Sequence, residues 1–157
     1  MSSFFDTVNI RFNDKKDWKQ LFYEDGSLMY SGSTVSGLPY GAGTVFYTKG
    51  TIYQEGLFGV KGLLSGREYY PSGQLRFEGI YRMNKGYGPN YPVYGKCFDM
   101  HGDLYFEGLL SIRKSGLGYP FVEEPAQYGK VVQDGSPLFH RFMWDDVAEL
   151  ENYLDKQ

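Results

Sequence analysis

Two histidines, His101 and His140, and a single cysteine, Cys97, are the side chains of this 157-residue chain best suited to proton transfer or nucleophilic attack. His101 precedes Gly102, and a polar residue followed by glycine between β-rich runs reads as a turn. Ser136, His140 and Asp145 supply the residue types of a hydrolase triad. No Gly-x-Ser-x-Gly elbow surrounds Ser136, and closeness in sequence does not create triad geometry. Cys97 has no neighbouring base, and one thiol excludes an intramolecular disulfide and multi-thiolate zinc sites. The acidic pairs Glu123-Glu124 and Asp145-Asp146 read as solvated charge. The glycine-rich runs Gly37–Gly43 and Gly86–Gly88 lack the Lys-Ser/Thr of a phosphate loop. The expectation is a chain with no catalytic, cofactor-binding or metal-ligating residues.

The elements that must position any site come from a repeat. Glu24–Gly32, Thr48–Gly56, Pro71–Gly79 and Met100–Gly108 share two glycines six residues apart: Gly26 and Gly32, Gly50 and Gly56, Gly73 and Gly79, Gly102 and Gly108. A second block follows each, at Gly43–Tyr47, Gly66–Tyr70, Gly95–Asp99 and Gly129–Gln133. The first glycine of each pair follows a polar residue, which marks a hairpin tip, because glycine takes positive φ at no steric cost. The reading is one hairpin per repeat. Asp134-Gly135 through Phe142 reads as a last partial copy.

Period-two alternation places Leu28, Ile52, Leu75 and Leu104 on one face with Tyr30, Gln54, Phe77 and Phe106. That set is the expected core. The set containing Met29, Tyr53, Arg76 and Tyr105 is expected to be wetter. Cys97 aligns with Val45, Glu68 and Val131 on a strand, as a half-buried thiol. Glu55, Glu78 and Glu107 precede repeat glycines, while Arg67, Lys96 and Lys130 follow the others. These are expected to form an acidic row and a basic row that neutralise each other across strands.

The connections between the blocks lengthen toward the C-terminus. Ile80–Tyr94 and Leu109–Tyr128 are the long ones, and they hold Pro89, Pro92, Pro120 and Pro125. They also carry Tyr87, Tyr91, Tyr94, Tyr119, Phe121 and Tyr128, the residues expected to contact a partner. Tyrosine is favoured at interfaces and loops carry variable positions on a scaffold. The alternative is that these rings pack over their own sheet edge.

Composition agrees with strands. Aromatic residues make up 18% of the chain, with 15 Tyr and 12 Phe, against three alanines, which disfavours helix. A net charge of −3 argues against nucleic acid or an anionic membrane as a partner held by bulk charge. Met1 to Phe12 lacks the apolar run of a signal peptide, and no stretch approaches the ~20 apolar residues of a membrane span. The expected compartment is the cytoplasm.

Tyr30-x-Gly32, Gly37, Gly41-x-Gly43 and Gly50 resemble the spacing of the MORN repeat, with Phe58 and Tyr81 at the family's aromatic position in later copies and Thr34 in its place in the first. The strings at Tyr69–Gly79 (YYPSGQLRFEG) and Met100–Gly108 (MHGDLYFEG) are similar to the YwqK-type branch of that family. The resemblance covers about residues 22–142. It implies an all-β array of about four hairpins in a twisted or curved antiparallel sheet. It also implies protein binding without catalysis, in the concrete form of an antitoxin or immunity-type binder of bacterial or phage origin. A lipid- or membrane-associating scaffold is the alternative; an enzyme of unrecognised type is a third.

The ends are read as caps on a single domain, 1–157. Residues 1–21 form an N-terminal cap or degenerate repeat, with Val8, Ile10 and Phe12 alternating, a polar turn at Asn13–Asp17, and Trp18–Tyr23 as the first strand of the first hairpin. Residues 144–157 hold a short helix from about Asp145 to Asp155, with Val147, Leu150 and Leu154 in one stripe. Its expected task is to cover the last hairpin; binding a partner is the alternative.

Overall fold

The computed structural model describes residues 15–83, 90–110, 113–114, 120–122, 130–131, 139–140, 151–152 and 155. Eight strands follow one another: β1 (Lys16–Phe22), β2 (Leu28–Val35), β3 (Leu38–Phe46), β4 (Ile52–Gly59), β5 (Gly62–Tyr69), β6 (Leu75–Arg82), β7 (Tyr91–Phe98) and β8 (Leu104–Leu109). Each pairs antiparallel with the next, in the sheet order β1-β2-β3-β4-β5-β6-β7-β8. Four short strands follow: β9 (Arg113–Lys114), β10 (Pro120–Val122), β11 (Lys130–Val131) and β12 (Phe139–His140). β11 extends the main sheet beside β8, and β12-β10-β9 form a second, three-stranded sheet. The protein is therefore all-β and built of hairpins, with an open main sheet.

The expected hairpin tips are where the glycines placed them. In each, the glycine N–H donates to the carbonyl three residues back: Gly26 to Tyr23, Gly50 to Tyr47, Gly73 to Tyr70 and Gly102 to Asp99. The four glycines have φ of 88–101°, the left-handed conformation that follows a type I turn in a three-residue hairpin loop. β1 begins at Lys16, so the polar turn expected over Asn13–Asp17 gives way to strand at its last two residues.

The facing of the residues after each tip differs from the alternation. Leu21 pairs with Tyr30 and Phe22 with Leu28, which leaves Met29 as an extra residue. Tyr53, Arg76 and Tyr105 are extra in the same way in the next three hairpins. Such a bulge opposes two residues to one and redirects a side chain. Tyr53, Arg76 and Tyr105 are consequently buried, beside buried Gln54, Phe77 and Phe106. Leu28, Ile52, Leu75 and Leu104 are only half-buried, and form no part of the core cluster.

The second glycines form a continuous row. Gly32 pairs with Gly43, Gly43 with Gly56, Gly56 with Gly66, Gly66 with Gly79, Gly79 with Gly95, and Gly95 with Gly108. A Cβ on Gly66 would lie 2.1 Å from the Glu55 carbonyl oxygen, so only glycine allows these strands to approach this way. The row also receives rings. A Cβ on Gly43 would fall 2.1 Å from the Tyr30 hydroxyl, and one on Gly95 2.9 Å from the Phe77 ring. The core is a layer of such rings, with Tyr30 edge-on to Phe58 at 5.5 Å and Phe77 edge-on to Tyr81 at 5.4 Å.

Several polar groups inside this layer bond to one another. Buried Glu68 accepts from Arg76 Nη1 at 2.8 Å, Gln54 Nε2 at 2.9 Å and the Tyr81 hydroxyl at 3.0 Å. The Arg76 guanidinium lies 5.7 Å from the Tyr70 ring centre. Successive hairpins are also tied through their tips. Tyr23 donates to the carbonyl of Phe46 at 2.6 Å, Tyr47 to that of Tyr69 at 2.5 Å and Tyr70 to that of Phe98 at 2.9 Å. Each accepting carbonyl immediately precedes the residue that opens the next turn. At the fourth turn Asp99 replaces tyrosine and its carboxylate accepts the N–H groups of His101 and Asp103.

Residues 1–14 and most of 144–157 lie outside the described residues. Glu151, Asn152 and Asp155 have helical backbone. Glu151 is buried against the second turn, where it accepts from the N–H and hydroxyl of Thr48 and the N–H of Lys49. Lys49 Nζ lies 3.3 Å from Asp155.

Candidate functional site

The face of the main sheet opposite the aromatic layer carries three parallel rows, each set by the register. The central row runs Thr44, Glu55, Arg67, Glu78, Lys96 and Glu107, one residue per strand from β3 to β8. Lys130 of β11 is paired with Glu107. The expected acidic and basic rows are thus a single row of alternating sign, because carboxylates fall on even strands and cations on odd ones. Arg67 Nε donates to Glu78 at 2.6 Å, and that bond holds the guanidinium further above its ordinary range. Glu55 accepts a hydrogen bond from the Tyr69 hydroxyl. Burial, then that bond, raises the Tyr69 phenol. Lys96 and Glu107 are exposed and make no ion pair among the described residues.

An apolar row lies on each side. On the side away from the tips, Leu57, Ile80, Tyr94 and Leu109 are 50%, 53%, 53% and 40% exposed, with Ser65 between Leu57 and Ile80. On the tip side stand half-buried Phe46, Ile52, Leu75, Phe98 and Leu104. These include the leucines expected in the core, moved to the outer face by the bulges. Toward β1, exposed Trp18 joins Ala42, Thr44, Glu55 and Arg67 in lining a shallow groove of about 420 Å3.

Of the six aromatic residues expected at a binding edge, Tyr94 belongs to this open face, and it sits inside β7. Tyr91 starts β7, opposite Arg82, and is half-buried. Phe121 lies in β10, paired with Arg113 and His140. Tyr87, Tyr119 and Tyr128 lie outside the described residues. The span read as one long connection, Ile80–Tyr94, is strand at both ends, since β6 runs to Arg82 and β7 starts at Tyr91. Pro92 enters β7 beside a register shift, a place where a missing N–H is tolerated. Pro120 likewise opens β10 within the second long connection. Asn90 closes the first against an earlier turn: its N–H donates to the Lys61 carbonyl, and its side chain to those of Gly62 and Leu63.

The residues considered for chemistry are dispersed. His101 is exposed at the fourth turn and its N–H donates to Asp99. His140 belongs to β12, whereas Ser136 and Asp145 lie outside the described residues. Cys97 is fully buried, rather than half-buried, in the register row of Val45 and Glu68. Its neighbour Tyr105 has a phenol pushed well above the ordinary range, chiefly by burial and then by Cys97. Among the described residues, no helix is long and apolar enough to cross a membrane. No family model, curated protein or solved structure matches this chain.

Residues that sequence reasoning missed as a group are the tip tyrosines Tyr23, Tyr47 and Tyr70. Their signal was available, because each stands three residues before a turn glycine.

Proposed function

We propose that this chain is a non-catalytic protein-binding module of MORN type, and that the open face of its sheet is the binding surface. The observation that carries this reading is the row of half-exposed Leu57, Ile80, Tyr94 and Leu109 beside a row of fixed, alternating charge. Contiguous exposed apolar surface rimmed by polar groups marks an interaction site. An ordered charge pattern selects the partner and its orientation. The resemblance to the YwqK-type branch favours an antitoxin or immunity-type binder of a cognate protein, acting in the cytoplasm. Tyr87, Tyr91, Tyr119, Phe121 and Tyr128 would extend the contact from the connections. The C-terminal segment is still read as a helix, but Glu151 seats on the second turn and not on the last hairpin it was expected to cover.

The test is affinity capture with tagged wild-type chain and with Ile80→Asp/Tyr94→Asp, both verified as folded by circular dichroism. A cognate protein retained by wild type and lost from the variant supports the reading. Equal retention by both would move the site off this face.

A further inference from the structure

The charge row has a symmetry that identifies one occupant of the open face. Signs along the row are −, +, −, +, − from Glu55 to Glu107, so a copy of the row turned end to end about the gap between Glu78 and Lys96 meets it with opposite signs. A two-fold axis lying between two stacked sheets, parallel to their strands and over the gap between β6 and β7, makes that turn. It places Glu78 against the partner's Lys96 and Arg67 against the partner's Glu107. It also keeps each apolar row on its own counterpart, with Ile80 facing the partner's Tyr94 and Leu75 facing the partner's Phe98. A two-fold axis perpendicular to the strands would instead set like charges together.

We infer that the open face binds a second copy of this chain, forming a face-to-face dimer with this axis. The inference rests on the reading of the open face as a protein-binding surface. The dimer gives an ionic partner to Lys96 and Glu107, which are exposed and make no ion pair among the described residues. Its strands stack nearly aligned, as paired sheets do. The overlap spans about six strands, from β4 onward. β8 has six residues and β11 only two, so at ordinary strand spacing and rise the overlap covers about 500 Å2 on each partner, about 1,000 Å2 in all, the lower bound for a specific interface. β1 to β3 overhang, so the groove beside Trp18 is left partly open.

The experiment is sedimentation of the full chain and of two charge-reversed variants, Glu78→Lys and Lys96→Glu, alone and mixed. Wild type is expected to be dimeric in the micromolar range. Each variant alone sets two like-charge contacts across the axis and weakens the dimer by roughly tenfold or more. In an equimolar mixture one chain carries lysine at both positions and the other carries glutamate at both. Each of the two contacts across the axis then joins a cation to a carboxylate again, so a mixed dimer forms. Mixing changes nothing within either chain, so recovery can only come from between chains. If both variants lose the fold, Ile80→Asp replaces them, with a monomer expected. A wild type that stays monomeric, or a mixture that dimerises no better than its components, overturns the dimer. Neither result touches the capture assay, which separates failure of self-association from failure of the binding face.

Discussion

The hydroxyl of Tyr47 donates to the backbone carbonyl of Tyr69 at 2.5 Å, and so fastens the tip of one hairpin to the start of the next turn. Tyr23 and Tyr70 make the same bond, to Phe46 and Phe98. The series couples each repeat to its successor by side chain as well as by strand pairing. Tyr47→Phe removes the donor to the Tyr69 carbonyl, an expected loss of about 1 kcal/mol. Chemical denaturation of the two proteins checks this; equal stabilities would show that the bond contributes nothing.

Arg76 and Glu68 form a fully buried ion pair within the aromatic layer. Arg76→Met, which places at this bulge the residue found at Met29, strands the Glu68 carboxylate. The expected cost is about 3–5 kcal/mol. Adding Glu68→Gln should recover much of it, because the buried charge is removed while an acceptor for Gln54 and Tyr81 remains. A double variant as unstable as the single one would contradict that account.

Leu75 and Phe77 lie two residues apart in β6, on opposite faces because of the bulge at Arg76. Phe77→Ala is expected to cost about 3–5 kcal/mol and Leu75→Ala less than about 2 kcal/mol. The comparison is made by urea melts of both. The reverse order would restore the simple alternating assignment.

Buried tyrosines set an alkaline limit. Burial lifts the Tyr30 phenol to about 12, against an ordinary value near 10, and it raises those of Tyr23, Tyr70 and Tyr105 as well. A folded pKa above the unfolded one means that the neutral form is favoured by folding. This contribution is complete below about pH 10 and falls as pH rises toward 12. Absorbance at the tyrosinate band, followed with circular dichroism, should show buried phenols ionising only as the fold is lost. Full ionisation of all tyrosines near pH 10 with the fold intact would disagree.

The hairpins were legible because glycine at positive φ leaves a local signature, and Gly26, Gly50, Gly73 and Gly102 each carry it. The alignment of Cys97 with Val45 and Glu68 was legible for the same reason: glycine spacing fixes register. The burial of Tyr53, Arg76 and Tyr105 was not, because a bulge inserts one residue and reverses every facing on its tip side. The alternating charge row was visible only as two lists of residues. Merging them required knowing that Gly66 pairs with both Gly56 and Gly79, which sets Arg67 between Glu55 and Glu78. Tyr94 reads as loop in the sequence because Pro92 precedes it, and a register shift at that point lets proline enter the strand.

Oxidative footprinting across protein concentration tests most directly the claim that the open face is a contact surface between two copies of this chain. Tyr94 and Trp18 are both exposed in one chain, at 53% and 70%. The face-to-face arrangement covers Tyr94 and leaves Trp18 on the overhanging strands. As concentration rises, oxidation of Tyr94 should fall while that of Trp18 holds constant. Tyr94 and Trp18 oxidising at unchanged rates from nanomolar to high micromolar concentration would contradict the account.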